Sequence, residues 1–388
     1  MKKLFLIIIF CSAIIVDTNG QEPEKLKNWS VDGYVKYLQN VWLPNGDDTW
    51  LINNNFNNRL NFRWYPSNSF SAYVGMRNYF VYGQFVQLAY PYYAQIMDYD
   101  NGFFDMTWVL ADNHSYVLAT NIDRANIKYS KGNFEAIAGR QRINWGTAFV
   151  WNPNDIFNVY SYFDFDYEER PGSDAIKVEY YTGMASSAQL VSSIDSANKL
   201  TLAGMYKFMT QGYDIQFLGG VMPDDIVIGC GWAGQVIEGG FRGEVSYFHP
   251  KNRFSDTTGL FEFVLDADYT FKNSLYIHAS FLFNSNGTTG KAGGYNFLEF
   301  RNLSVKQLSL AKYSLFGQVS YPISPLVNGS LATMFNPSDK SSFVGPSVDI
   351  SLKENLDLFF IGQLFFGEPE TEFGDYGYMW YMRLKWSF

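Results

Sequence analysis

The last thirteen residues, YGYMWYMRLKWSF (376–388), decide the fold. Tyr376, Tyr378, Trp380, Met382, Leu384, Trp386 and Phe388 share one parity, and Gly377, Met379, Tyr381, Arg383, Lys385 and Ser387 share the other. Side chains alternate across an extended chain, so one face is aromatic and apolar while the other carries both charges. Alternation sustained over this length predicts a strand with lipid on one side and a polar interior on the other, longer than a soluble sandwich strand needs.

Composition supports that reading. Phe, Tyr and Trp make up 19% of the chain, yet mean hydropathy is only −0.15. After residue 20 no apolar run approaches the roughly eighteen residues of a spanning helix. The N-terminus, with Lys2 and Lys3 before the apolar Leu4–Val16 and small residues before Gln21, predicts a secretory signal peptide over 1–20, leaving 21–388 as one barrel domain. Cys11 falls in that leader, so Cys230 stands alone and excludes both a disulfide and a cysteine metal cluster. The net charge of −9 argues against nucleic acid as a partner.

Period-2 segments recur near 30–43, 51–64, 69–83, 117–130, 133–145, 173–183, 186–194, 199–210, 212–222, 225–236, 239–248, 259–271, 273–285, 312–322, 325–336, 341–353, 355–366 and 376–388. The prediction is an all-β transmembrane antiparallel barrel of about eighteen strands, with sixteen as the alternative, since single-chain bacterial barrels have even numbers. Connectors alternate between long (84–116, 146–172, 249–258, 286–311) and short (Pro66-Ser67-Asn68, Lys131-Gly132, Gln211-Gly212), as outer loops and inner turns do. This sorting holds only if Phe103–Ala111 belongs to the second outer loop, as a small hairpin.

Assigning the apolar parity of each strand to lipid sends Arg59, Arg63, Arg77, Arg124, Lys128, Arg140 and Arg142 into the lumen as one basic wall. For the fifth strand this places Glu135 and Ile137 on the lipid parity, because the reverse would put Arg140 and Arg142 in lipid at roughly 2–4 kcal/mol each near the midplane. Glu244, Glu262, Asp266 and Asp268 line the opposite wall, and loop 146–172 adds Asp155, Asp164, Asp166, Glu169 and Arg170. Folded inward, that loop would set acids against arginines across a constriction. The same charges also suit structural bracing. Loop 286–311, containing Phe297-Leu298-Glu299-Phe300-Arg301, reads as an external cap rather than a second constriction. The three histidines are dispersed; His278 reads as a pore-lining residue and not a catalytic base, no metal or other cofactor is expected, and Cys230 should face lipid.

Gly139-Arg140-Gln141-Arg142-Ile143-Asn144-Trp145-Gly146, Asn152-Pro153-Asn154-Asp155, Glu169-Arg170-Pro171-Gly172 and Leu265–Asn273 resemble porin-like outer-membrane barrels related to the alginate-export channel. The terminal Phe388 resembles the signal read by the outer-membrane assembly machinery. The resemblance implies an eighteen-stranded diffusion channel set among outer-membrane lipid and lipopolysaccharide, with an arginine-lined lumen, an infolded loop and passage of small hydrophilic solutes, anionic ones or saccharides among them. The acidic strands depart from the strongly cationic lumen of polyanion exporters. The alternative function is a non-channel barrel whose Tyr- and Phe-rich loops 84–116 and 286–311 dock partner proteins.

Overall fold

The computed structural model describes residues 28–45, 49–252, 254–293 and 304–388. The leader and Phe297–Arg301 lie outside these residues. The described chain forms β1 (Trp29–Leu43), β2 (Leu51–Trp64), β3 (Phe70–Gly83), β4 (Thr107–Asn113), β5 (Tyr116–Lys131), β6 (Phe134–Gln141), β7 (Ser173–Gly183), β8 (Ser186–Ile194), β9 (Leu200–Thr210) and β10 (Tyr213–Val221). There follow β11 (Asp225–Val236), β12 (Gly239–Pro250), β13 (Leu260–Thr270), β14 (Tyr276–Asn284), β15 (Tyr313–Ser324), β16 (Val327–Phe335), β17 (Ser342–Lys353), β18 (Leu356–Phe366) and β19 (Tyr378–Ser387). Two short helices, α1 (Gln84–Ala89) and α2 (Tyr92–Asp98), lie in the second outer loop.

Sequence neighbours pair antiparallel throughout, β3 pairs directly with β5, and β1 closes on β19 from Tyr34↔Ser387 to Leu43↔Tyr378. With β4 set apart, the wall is a closed barrel of eighteen strands, as the alternation predicts. Closure gives each of the eighteen wall strands a partner on both sides, which a strand wall in lipid requires. The outer face is apolar because alternate residues face it: on β2, Phe56, Phe62 and Trp64 are exposed while Asn57 and Arg59 are buried. Trp29, Trp64, Phe70 and Trp386 ring the short-turn end, and Phe335, Phe366 and Tyr378 the other, as interfacial girdles do.

Four features correct the sequence reading. β6 stops at Gln141 instead of 145, so Arg142 to Trp145 have already left the wall. β4 is no independent hairpin: it pairs with the upper half of β5, from Thr107↔Asn121 to Asn113↔Tyr116, on the edge that β6 uses lower down. It thus fills the gap in the wall above the truncated β6. The parity of β6 is the reverse of that expected. Ala138 lies between the exposed Ile127 and Ile176, whereas Glu135 is buried and bridges Lys128 at 2.5 Å, so Glu135 and Ile137 face the lumen. Finally, Tyr376 is 3% exposed in an outer loop folded onto the core, not on the lipid face, because β19 begins two residues later.

A bulge at Asp123, extra between the pairs Gly75↔Arg124 and Met76↔Ile122, turns both Asp123 and Arg124 inward. Above it, Val117 and Ala119 point inward with Val81 and meet Val86, Tyr93 and Ala94 of α1 and α2. The second outer loop therefore folds into the barrel mouth. The described part of loop 286–311 also turns inward: Val305 and Leu308 are buried, and Lys306 pairs with Asp225 at 2.8 Å.

Candidate functional site

Residues 142–172 make a belt around the inner circumference of the barrel. Trp145 donates its indole N–H to Gln189 on β8 at 2.8 Å, and its carbonyl accepts from Gln216 on β10. Glu244 on β12 accepts from the backbone N–H of Thr147, Ala148 and Asn154, and Asp266 on β13 accepts from that of Phe149 at 2.7 Å. Trp151 packs on Phe316 of β15, and Phe163 on Phe343 of β17, while Gln363 of β18 donates to the Phe163 carbonyl. Phe165 meets Tyr381 of β19, Lys36 of β1 donates to the Asp166 carbonyl at 2.6 Å, and Glu169 reaches Arg59 of β2. Tyr167 lies under Arg77 of β3 at 3.8 Å. Arg124 of β5 then donates to the Glu169 and Arg170 carbonyls, and Ser173 opens β7. The belt lacks regular secondary structure, so its backbone groups must be met by wall side chains, and inward Glu, Asp, Gln, Arg and Lys supply them.

Most of the predicted wall charges are therefore engaged. Glu244, Glu262 and Asp266 are fully buried behind the belt; Glu262 accepts from Asn284, and Asp268 pairs with Arg242 at 2.8 Å. Arg59 forms a two-toothed bridge to the bulged Asp123 at 2.7 and 2.9 Å, and Arg63 pairs with Asp32. Asp166 pairs with Lys36, and Glu168 with Arg383 and Lys385. The last two cations hold Glu168 below the usual carboxylate range against the upward push of its burial.

The two arginines of Arg140-Gln-Arg142 have separate environments. Arg140 shares parity with Ala138, and its guanidinium stays in the wall, 3% exposed, bonded to Asp174 at 2.8 and 2.9 Å, Asp100 at 2.7 Å and the carbonyls of Phe104 and Ile122. It joins the end of β6 to the segment below β4. Gly102 sits so close that an added Cβ would collide with the guanidinium. Arg142 lies in the belt, where its Nη2 donates to Asn144 and its buried Nε has no partner among the described residues. Burial and the nearby Arg170 push its pKa down. Arg170, in the left-handed region at φ 57°, stacks its guanidinium over Tyr160 at 3.1 Å. Arg142, Arg170 and Arg124 thus form a cationic group with no ion pair within 4 Å among the described residues. Asp155 sits behind them, accepting from the Trp145 N–H; burial raises its carboxyl to about 7.

His278 is 4% exposed between Phe149 and Phe316, 3.7 Å from Asp266, and so lies behind the belt rather than along the pore. Lys36, Asp100, Asp123, Tyr160 and Asp174 were not legible as site residues: a bulge and a loop fold place them. Arg383 and Lys385 stood on the polar parity of the terminal strand and could have been counted.

No family model matches the sequence, and no curated protein does. Solved structures share the fold. OccAB4 of Acinetobacter baumannii is 9% identical with a TM-score of 0.58, covering 95% of this chain and 100% of its own. OccAB3 of the same organism is 9% identical at 0.60, covering 93% and 99%. OprD of Pseudomonas aeruginosa, described as an outer membrane protein, is 10% identical at 0.57, covering 93% and 95%. More than nine-tenths of the chain is thus similar to these structures in fold.

Proposed function

We propose that the chain is an outer-membrane porin for diffusion of small hydrophilic solutes, with the belt as its constriction and the Arg142–Arg170–Arg124 group as its selectivity element. The observation that carries this reading is the uneven use of charge. Nearly every other lumen cation is paired, yet among the described residues these three have no carboxylate in bridging distance: Arg170 lies over Tyr160, Arg142 donates to Asn144 and Arg124 to the belt carbonyls. Guanidinium stays charged at every physiological pH, so such a group favours anions by electrostatics alone. The fold shared with OprD and the Occ barrels supports placement in the outer membrane, with Trp and Phe girdles in contact with lipid and lipopolysaccharide. The likeness of residues 139–146 and 169–172 to alginate-export-type barrels is consistent with an anion path. The paired acids of the wall argue for small anions over a polyanion. In this reading no residue acts as a catalyst.

Planar-bilayer recording tests it. The purified chain should give unitary conductance steps, and Arg142→Ser with Arg170→Ser should move the reversal potential toward cations. A silent bilayer would refute the channel; an unmoved potential would refute the role of the two arginines.

A further inference from the structure

The outer side of the belt bounds a cavity of about 540 Å³, within the roughly 300–1,000 Å³ typical of small-ligand clefts. Its wall is a patch of β18, β19, β1, β2 and β3, aligned by register: Asn40 lies between Tyr381 and Asn53, and Asn55 between Leu38 and Val81. This makes a strip of amides in the middle of the patch, with Asn40, Asn53 and Asn55 lining the cavity and the buried side-chain oxygens of Asn53 and Asn55 accepting no hydrogen bond from the described residues. Rings flank the strip. Trp42, Tyr93 and Tyr99 bound it on the loop side, and Tyr160, Phe163 and Phe165 on the belt side.

The charges there do not suit an anion. Arg77 is committed to stacking between Tyr79 and Tyr167, and Arg140 to Asp100 and Asp174, and Asp164 adds a further carboxylate to the lining. Nor does a single ammonium fit well, because alternate residues on one strand stand about 7 Å apart and need donors spread over that span. A pyranose ring carries hydroxyls around its edge and apolar C–H faces above and below. That matches an amide strip between aromatic surfaces.

We propose that this cavity is a binding subsite for a short neutral saccharide, reached before the cationic constriction. The inference rests on the channel reading and adds a solute class to it. The test uses the full chain in planar bilayers, with maltotriose or cellobiose added on the outer side. Either sugar should interrupt the ion current in a concentration-dependent way. Asn53→Leu with Asn55→Leu should raise the half-blocking concentration about tenfold, the size expected for losing two neutral hydrogen bonds. Tyr99→Ala, at a residue 67% exposed, should raise it as well, and open-channel conductance should hold in both variants. Current that neither sugar interrupts, block unchanged in both variants, or stronger block by gluconate or lysine overturns the proposal while leaving the channel intact. A silent bilayer overturns both.

Discussion

Asp155 is the residue where local chemistry sets a pH dependence. Burial is the main cause of its raised pKa, and the Glu244 carboxylate adds to it, against the Trp145 N–H and the opposing pull of Arg142 and Arg170. A carboxyl with a folded value of about 7 is neutral below that pH and ionised above it. Its contribution to holding the belt in place is therefore fullest in acid, below the ordinary carboxylate range, and is lost as pH rises through about 7. Neutralisation also removes the nearest negative charge from Arg142. Anion preference, read as reversal potential, should rise as pH falls from 8 to 6, and Asp155→Asn should make it flat across that range. Arg142 itself was legible as a lumen cation, but its distinction from Arg140 was not. Two residues on one apparent strand part company because β6 ends between them.

At the scale of elements, the belt and the β4 segment are held by buried carboxylates and guanidiniums, not by ladders of their own. Glu244→Ala would leave three backbone N–H groups, two of them buried, without an acceptor. Each such loss costs about 1–3 kcal/mol, enough together to unseat the belt. The expected outcome is a severalfold larger and noisier single-channel conductance with the barrel intact. The seam above β6 depends on Arg140. Arg140→Gln strands Asp100 and Asp174 in the wall, and breaking a buried pair costs about 3–5 kcal/mol. Electrophoretic heat-modifiability should show the variant barrel unfolding at a lower temperature, and protease should cut near residues 99–106. Strand alternation exposed the eighteen wall strands in outline; it could not expose this seam, because β4 carries too few residues to declare a period and takes its partner from β5's length.

For the whole molecule, wall and belt answer to different physics. The wall is fixed by alternation and by the need to satisfy every backbone group in lipid, so strand number, closure and the lipid face could be read from residues such as Phe62, Trp64 and Trp386. The belt is fixed by contacts far apart in sequence, which no local pattern encodes. Replacing residues 144–170 with a short Gly-Ser linker should accordingly leave a folded barrel of unchanged strand content by circular dichroism, with a conductance several times larger and little ion selectivity.

The circuit of the belt also constrains how the protein is made. Its chain leaves the wall after β6, yet Phe163 is held by Gln363, and Glu168 by Lys385, 200 and 217 residues later. The surfaces that receive the belt exist only where strands distant in sequence stand side by side in the wall. The seam between β1 and β19 supplies Lys36, Arg383 and Lys385 to the belt's last turn. Seating the last turn of the lining therefore requires the closed cylinder, and a barrel that shut around a misplaced lining would have no free wall edge through which to correct it.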